Sequence, residues 1–174
     1  MEEITFGGKL TFEDYKTFNM YHLTKRYMKK LLILFCAYTM ILYGTFKDEL
    51  YEVGGLPLII LISVVISILT VVVLVLISLK RTKTIYNSSS RMKLEHRFLV
   101  RDEGVLCKNE NGESIVKWDE IIAVIEKKYM ILLYTSTIQA VIIPKRFFVS
   151  ECDKIEFKKI VLEKVDNKKL KLMA

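Results

Sequence analysis

Two long apolar blocks interrupt an otherwise mixed pattern of hydrophobic and polar positions. The first, Leu31–Phe46, reads LLILFCAYTMILYGTF. At about 1.5 Å per residue it makes roughly 24 Å of helix, short of a ~30 Å hydrocarbon core. Tyr27 and Met28 extend it by a turn if Lys29 and Lys30 snorkel toward the headgroups, which predicts a span over about 28–46. The second block, Val53–Leu79, contains no charge at all. Its Val/Ile richness would suit strands, but no turn residue breaks it after Pro57, and strands rarely exceed about ten residues. It reads as a membrane helix over 53–79, long enough to tilt or to extend past the bilayer. Only residues 47–52 separate the blocks, so residues 31–79 are predicted to form an antiparallel hairpin.

Outside the hairpin the period changes twice. In residues 1–30, Ile4, Phe6, Leu10 and Phe12 suggest a short extended piece around a Gly7-Gly8 turn. Thr11 with Asp14 makes a capping box, and Tyr15, Phe18 and Tyr21/His22 continue at helical spacing. This helix could lie along a membrane surface and lead into the first span. The extended piece could instead add a strand to whatever follows the hairpin. Residues 84–91 are a polar stalk. From Leu94 the period is two: Leu94–Arg101, Val105–Lys108, a hairpin turning at Asn111-Gly112, then Ile121–Lys127, Tyr129–Tyr134 and Ile138–Ile143. Pro144 ends the last strand because it cannot donate to the ladder. Ser150 with Asp153 opens a helix to about Val165, with Ile155, Ile160, Leu162 and Val165 as its expected apolar stripe. About six antiparallel strands followed by one helix is the order of a pleckstrin-homology-like (PH-like) barrel, here over 84–174, although other small α+β folds share it. The fold class expected is therefore an α+β membrane protein.

Charge orients the hairpin. The net charge of +7 divides as +2 over residues 1–30, −2 over Lys47, Asp48, Glu49 and Glu52, +3 at Lys80, Arg81 and Lys83, and +4 over 84–174. Basic flanks at Lys25, Arg26, Lys29, Lys30 and after the second span put both termini in the cytoplasm and the acidic loop outside. Tyr43, Phe46 and Tyr51 fit an outer aromatic belt. The expected location is the cell membrane, crossed twice.

Candidate chemistry is sparse. Cys36, Cys107 and Cys152 are odd in number and widely spaced, without a CxxC pair. His22 and His96 have no ligand-spaced partner, and no nucleophile, phosphate-binding or dinucleotide motif occurs. The sequence thus nominates no catalytic residue, cofactor or metal, and an enzyme is not expected. The modest excess of base, without interleaved stacking aromatics, argues against nucleic acid. Lys145-Arg146, following Pro144, is the basic loop most suited to anionic headgroups or a partner. Lys168, Lys169 and Lys171 form a second, tail-like candidate. Ser63, Ser67 and Thr70 share one face of the second span, and Ala37 and Gly44 share a face of the first. Small residues at that spacing permit close helix contact, within the hairpin or with a second copy or another membrane protein. Trp118 is expected in the core.

The chain resembles the YcxB-like membrane proteins of bacteria. The residues that carry the resemblance are Trp118-Asp119-Glu120-Ile121 and Ile142-Ile143-Pro144-Lys145-Arg146-Phe147-Phe148, with the apolar strand Tyr129–Tyr134 between them. The resemblance implies an N-terminal cytoplasmic segment, a two-helix transmembrane hairpin and a PH-like domain, and no particular activity. The expected function is a membrane-anchored, non-enzymatic binding or regulatory module at the inner membrane face. The alternative is an accessory or immunity-type subunit that recognises another membrane protein through its hairpin. Membrane lipid, a membrane-protein partner or a second copy are the partners implied.

Overall fold

A computed structural model describes residues 4–50 and 55–172. Tyr51, Glu52, Val53 and Gly54 lie outside the described residues, and with them part of the expected outer loop and aromatic belt. The chain forms two compact units, one of Met1–Tyr15 with Tyr86–Ala174, the other of Lys16–Ile85. It is an α+β protein with two apolar helices and largely antiparallel sheets.

The helical unit is built from α1 (Phe12–Leu50) and α2 (Gly55–Ser88). Two helical stretches, Tyr27–Phe46 and Gly55–Ser88, are long and apolar enough to cross a membrane. Tyr27 donates its hydroxyl to Leu74 O at 3.2 Å and shares a 2.5 Å bond with Ser78, and Tyr38 meets Thr70 at 3.2 Å. Pairing 27 with 78 and 38 with 70 makes the helices antiparallel. Leu32, Ile33, Met40, Leu61, Leu69 and Leu76 point outward, each at least half exposed. Two expectations change here. No break separates an N-terminal surface helix from the first span, because α1 is continuous from Phe12. The expected polar stalk is helical as far as Ser88, so the basic run Lys80–Lys83 lies within α2 rather than beyond it.

The other unit is made from both sides of the hairpin. Strand β1 (Thr5–Lys9) pairs antiparallel with β2 (Glu95–Val100), Phe6 opposite Phe98. β3 (Gly104–Asn109) and β4 (Gly112–Lys117) complete a four-stranded sheet in sequential order. The predicted Asn111-Gly112 turn joins β3 to β4, with Asn109 Oδ1 accepting from Asn111 N at 2.9 Å. The second sheet has the order β7-β6-β5-β8, from β5 (Ala123–Glu126), β6 (Met130–Tyr134), β7 (Ala140–Pro144) and the short β8 (Leu170–Lys171). β8 pairs parallel with β5, a strand that the sequence did not announce. Pro144 is the last strand residue, opposite Met130, and the next amide, Lys145 N, donates to Tyr129 O at 2.9 Å.

Gly7-Gly8 does not turn the chain. β1 runs straight through, and a Cβ on Gly7 would stand 2.3 Å from His96 O, one on Gly8 2.8 Å from the Phe147 ring. The two glycines let β1 approach β2 and that ring closely.

Helix α3 (Glu151–Lys164) begins at the predicted capping box: Asp153 N donates to Ser150 Oγ at 3.1 Å, and Ser150 N to Asp153 Oδ2 at 3.0 Å. Its buried row is Phe157, Val161 and Val165, at i, i+4 and i+8. Ile155 and Leu162, expected in that row, face outward on the other side of the helix, and Ile160 sits at the margin. Phe157 contributes to an aromatic centre with Phe6, 5.3 Å away edge to face, and Phe148 at 5.5 Å. Phe6 also meets Phe98 at 5.3 Å and Phe148 at 4.3 Å. Trp118 is buried, and its indole N–H donates to Arg101 O at 3.1 Å. Truncating Phe157 to Ala is expected to cost about 3–5 kcal/mol. The loss is measured by denaturant unfolding in detergent, followed by the fluorescence of Trp118, the chain's single tryptophan.

Candidate functional site

A densely bonded polar site lies where the first turn of α1 meets the short helical turn Lys145–Phe147. Thr11 and Asp14 cap α1 reciprocally: Thr11 N donates to Asp14 Oδ2 at 2.7 Å, and Asp14 N to Thr11 Oγ1 at 3.3 Å. The same carboxylate takes the guanidinium of Arg146 in a two-pronged grip, Nη1 to Oδ1 at 2.5 Å and Nη2 to Oδ2 at 2.6 Å. Nη2 also donates to Lys9 O at 3.0 Å, at the end of β1. Planar fork-on-carboxylate contacts fix orientation as well as distance. Burial pushes the Asp14 carboxyl up, but Arg146 and the Thr11 donors outweigh it and hold the group below its ordinary value. Asp14 in return raises Arg146.

Beside it, Glu126 at the end of β5 is buried, with its side chain 1% exposed. Its Oε1 receives Lys145 Nζ at 2.6 Å and Lys158 Nζ at 2.7 Å. One carboxylate thereby ties the Lys145–Phe147 turn to α3. A charge at this depth is tolerable only with partners this close. Both bases of the Lys145-Arg146 loop are thus engaged by acids of the same unit. Reversing them to Glu would break two ion pairs before it tested any ligand.

On the other side of the junction Tyr86 of α2 packs against Phe12 at 5.8 Å and Tyr15 at 6.4 Å, and donates its hydroxyl to Leu10 O at 2.9 Å. Sequence patterning did not single out Tyr86, Glu126 or Lys158, because their partners lie far beyond the reach of a helical or strand period.

The remaining candidates are dispersed. Lys169 Nζ donates to Ile121 O at 2.9 Å, while Lys168 and Lys171 are exposed on either side of it. Ser63 and Ser67 are fully buried and bond back to Ile59 O and Ser63 O; Thr70 bonds back to Ile66 O and meets Tyr38. Ala37 and Gly44 face outward, and nothing lies within 4 Å of where a Cβ on Gly44 would sit. On α1 the tyrosines, not the small residues, meet α2. Cys107 lies 3.6 Å from His96 Nδ1, but burial pushes its thiol up, which opposes formation of a thiolate nucleophile. Among the described residues, no group of three His, Cys, Asp or Glu side chains is placed to hold a metal.

Glu126→Gln is expected to destabilise the protein by about 3 kcal/mol, since it leaves two lysines facing an uncharged buried group; unfolding followed by Trp118 fluorescence measures it. Asp14→Asn is expected to cost about 1–3 kcal/mol at neutral pH. Because the folded value of Asp14 lies below its ordinary 3.8, that cost is constant above 3.8 and shrinks as pH falls through the lower folded value. Stability curves of the two proteins that stay parallel down to the most acidic pH would contradict this assignment.

Comparison with known proteins bears on this architecture as a whole. The family model described as YcxB-like protein matches residues 100–161, from the end of β2 to the last turn of α3. A Bacillus subtilis (strain 168) protein described as "Uncharacterized protein YcxB" is 33% identical over 180 aligned positions, covering 98% of this chain and 94% of that one. No solved structure gives a significant match. With identity at that level over nearly the full length of both proteins, the chain belongs to the YcxB-like family.

Proposed function

We propose that the protein is a membrane-anchored, non-enzymatic binding or regulatory module, whose hairpin crosses the cell membrane and whose sheet unit is a PH-like domain at the inner face. The observation that carries this reading is the outward-facing apolar surface of α1 and α2. Leu32, Ile33, Met40, Leu61, Leu69 and Leu76 would be costly in water and are at home in hydrocarbon. Strand pairing supports two crossings by a separate route. β1 precedes the hairpin and β2 follows it, yet they share a sheet, so the chain must return to the side it left. The basic residues at both inner flanks make that side the cytoplasm. The PH-like assignment draws on two four-stranded sheets and a C-terminal helix that drives Phe157 into the core. Tethering concentrates the domain near membrane targets, so weak contacts there suffice.

The accessory-subunit reading draws on a different observation. A largely apolar groove of about 440 Å³ on the hairpin is lined by Met28, Leu31, Leu32, Phe35, Val64, Ser67 and Ile68. Ser67 closes one wall of this groove with its hydroxyl bonded back to Ser63 O, so a partner helix docking there would meet apolar side chains and no unsatisfied donor.

Topology is checked with single cysteines and a membrane-impermeant thiol reagent on intact cells. Asp48→Cys is expected to be labelled and Lys168→Cys to be protected. The Asn87-Ser88-Ser89 sequon gives a second check: in a glycosylating membrane system it is expected to stay unmodified. Glycan at Asn87 would put the sheet unit outside and defeat the assignment.

A further inference from the structure

The second sheet has two ends, each with exposed apolar side chains beside lysines. At one end Ile122 N donates to Tyr134 O at 2.8 Å, Ile138 is 77% exposed, and Lys169 reaches Ile121 O. At the other, Lys127 N donates to Met130 O at 2.8 Å and closes the turn between β5 and β6, on which Tyr129 is 63% exposed. Val149, 86% exposed, follows the Lys145–Phe147 turn, whose first amide bonds Tyr129 O.

The ends differ in what they adjoin. Pro144, opposite Met130, leads directly into the turn whose Arg146 grips Asp14 in the first turn of α1. The Tyr129 end therefore shares its edge of the unit with the start of α1, whereas Lys169 reaches the opposite end and Lys171 lies level with Ile125, part-way along β5. Most bases around Tyr129 are engaged: Arg146 by Asp14, Lys145 and Lys158 by Glu126, and Lys154 by Glu151. Lys128 differs, because its Nζ lies 5.1 Å from the Tyr129 ring centroid, so an ammonium and an aromatic ring share one exposed tip. An amphipathic ring, an exposed aliphatic side chain and a long-stemmed base are the combination that settles at a bilayer interface.

We propose that Lys128, Tyr129 and Val149 form a contact surface for anionic phospholipid, with Tyr129 and Val149 entering the interface and Lys128 at the phosphates. This rests on the membrane-anchored reading above. It places the lipid contact on residues other than Lys145, Arg146 and the tail.

The test uses the full-length protein in nanodiscs of phosphatidylcholine, with or without phosphatidylglycerol. The native cysteines are replaced, and an environment-sensitive dye is placed at Val149→Cys or, as a probe of the opposite end, at Ile138→Cys. Quenching by headgroup-nitroxide lipid is expected at 149 in anionic discs alone, and not at 138. Lys128→Glu is expected to weaken it at least ~10-fold, as is high salt. The unsubstituted protein provides an independent measure: hydrogen exchange across 127–149 slows in anionic discs only. The proposal is overturned by equal quenching in neutral discs, by quenching at 138 in place of 149, or by unchanged exchange in protein that is inserted. A chain that stays soluble and never enters discs would overturn the membrane-anchored reading, and this proposal with it.

Discussion

Burial of Phe6 is the constraint from which the rest of the architecture follows. One side chain from the N-terminal strand meets Phe98, Phe148 and Phe157, so it joins β2, the loop after β7 and α3 in a single aromatic centre. Without β1 the first sheet would lose its edge strand, and the core would lose a large hydrophobic side chain. With β1 in place, the unit is assembled from chain on both sides of the helices. Topologically, α1 and α2 are the connection of a β-hairpin whose strands are β1 and β2. The loop being closed is long, but closure entropy grows only slowly with length, and a helical connection is far from a random coil.

The charged contacts refine what the aromatic centre begins. Hydrophobic burial is not directional, whereas the Arg146 fork on Asp14 specifies an angle between the start of α1 and the Lys145–Phe147 turn. Glu126 holds that turn to α3 through two lysines. Each contact is short, and each acid is largely removed from water, which is where ion pairing has most consequence. The basic residues with the most evident ligand-binding composition are thereby committed to structure.

The helices separate polar work from apolar exposure. Tyr27, Tyr38, Ser63, Ser67 and Thr70 satisfy one another or the preceding turn, while branched aliphatics occupy the outer faces. A hydroxyl that bonds back to the carbonyl four residues earlier carries no unsatisfied donor into an apolar surrounding. The tyrosines of α1 provide the reach across to α2.

The sequence by itself determined the elements whose signals are local. The two apolar stretches, the Asn111-Gly112 hairpin, both capping boxes and the stop at Pro144 are each readable within a few residues, because periodicity, turn geometry and capping are short-range effects. Tertiary structure decided the rest. A strand was legible near Phe6, but only its pairing with β2 shows that Gly7-Gly8 serve close approach rather than a turn. On α3 both Ile155 and Phe157 are apolar, and the position of the sheet alone selects the Phe157 row. Lys145 and Arg146 read as an unpaired basic pair until Glu126 and Asp14, one of them 132 residues distant, are folded against them. Charge pairing across such separations leaves no local periodicity, so it is set only when the chain closes.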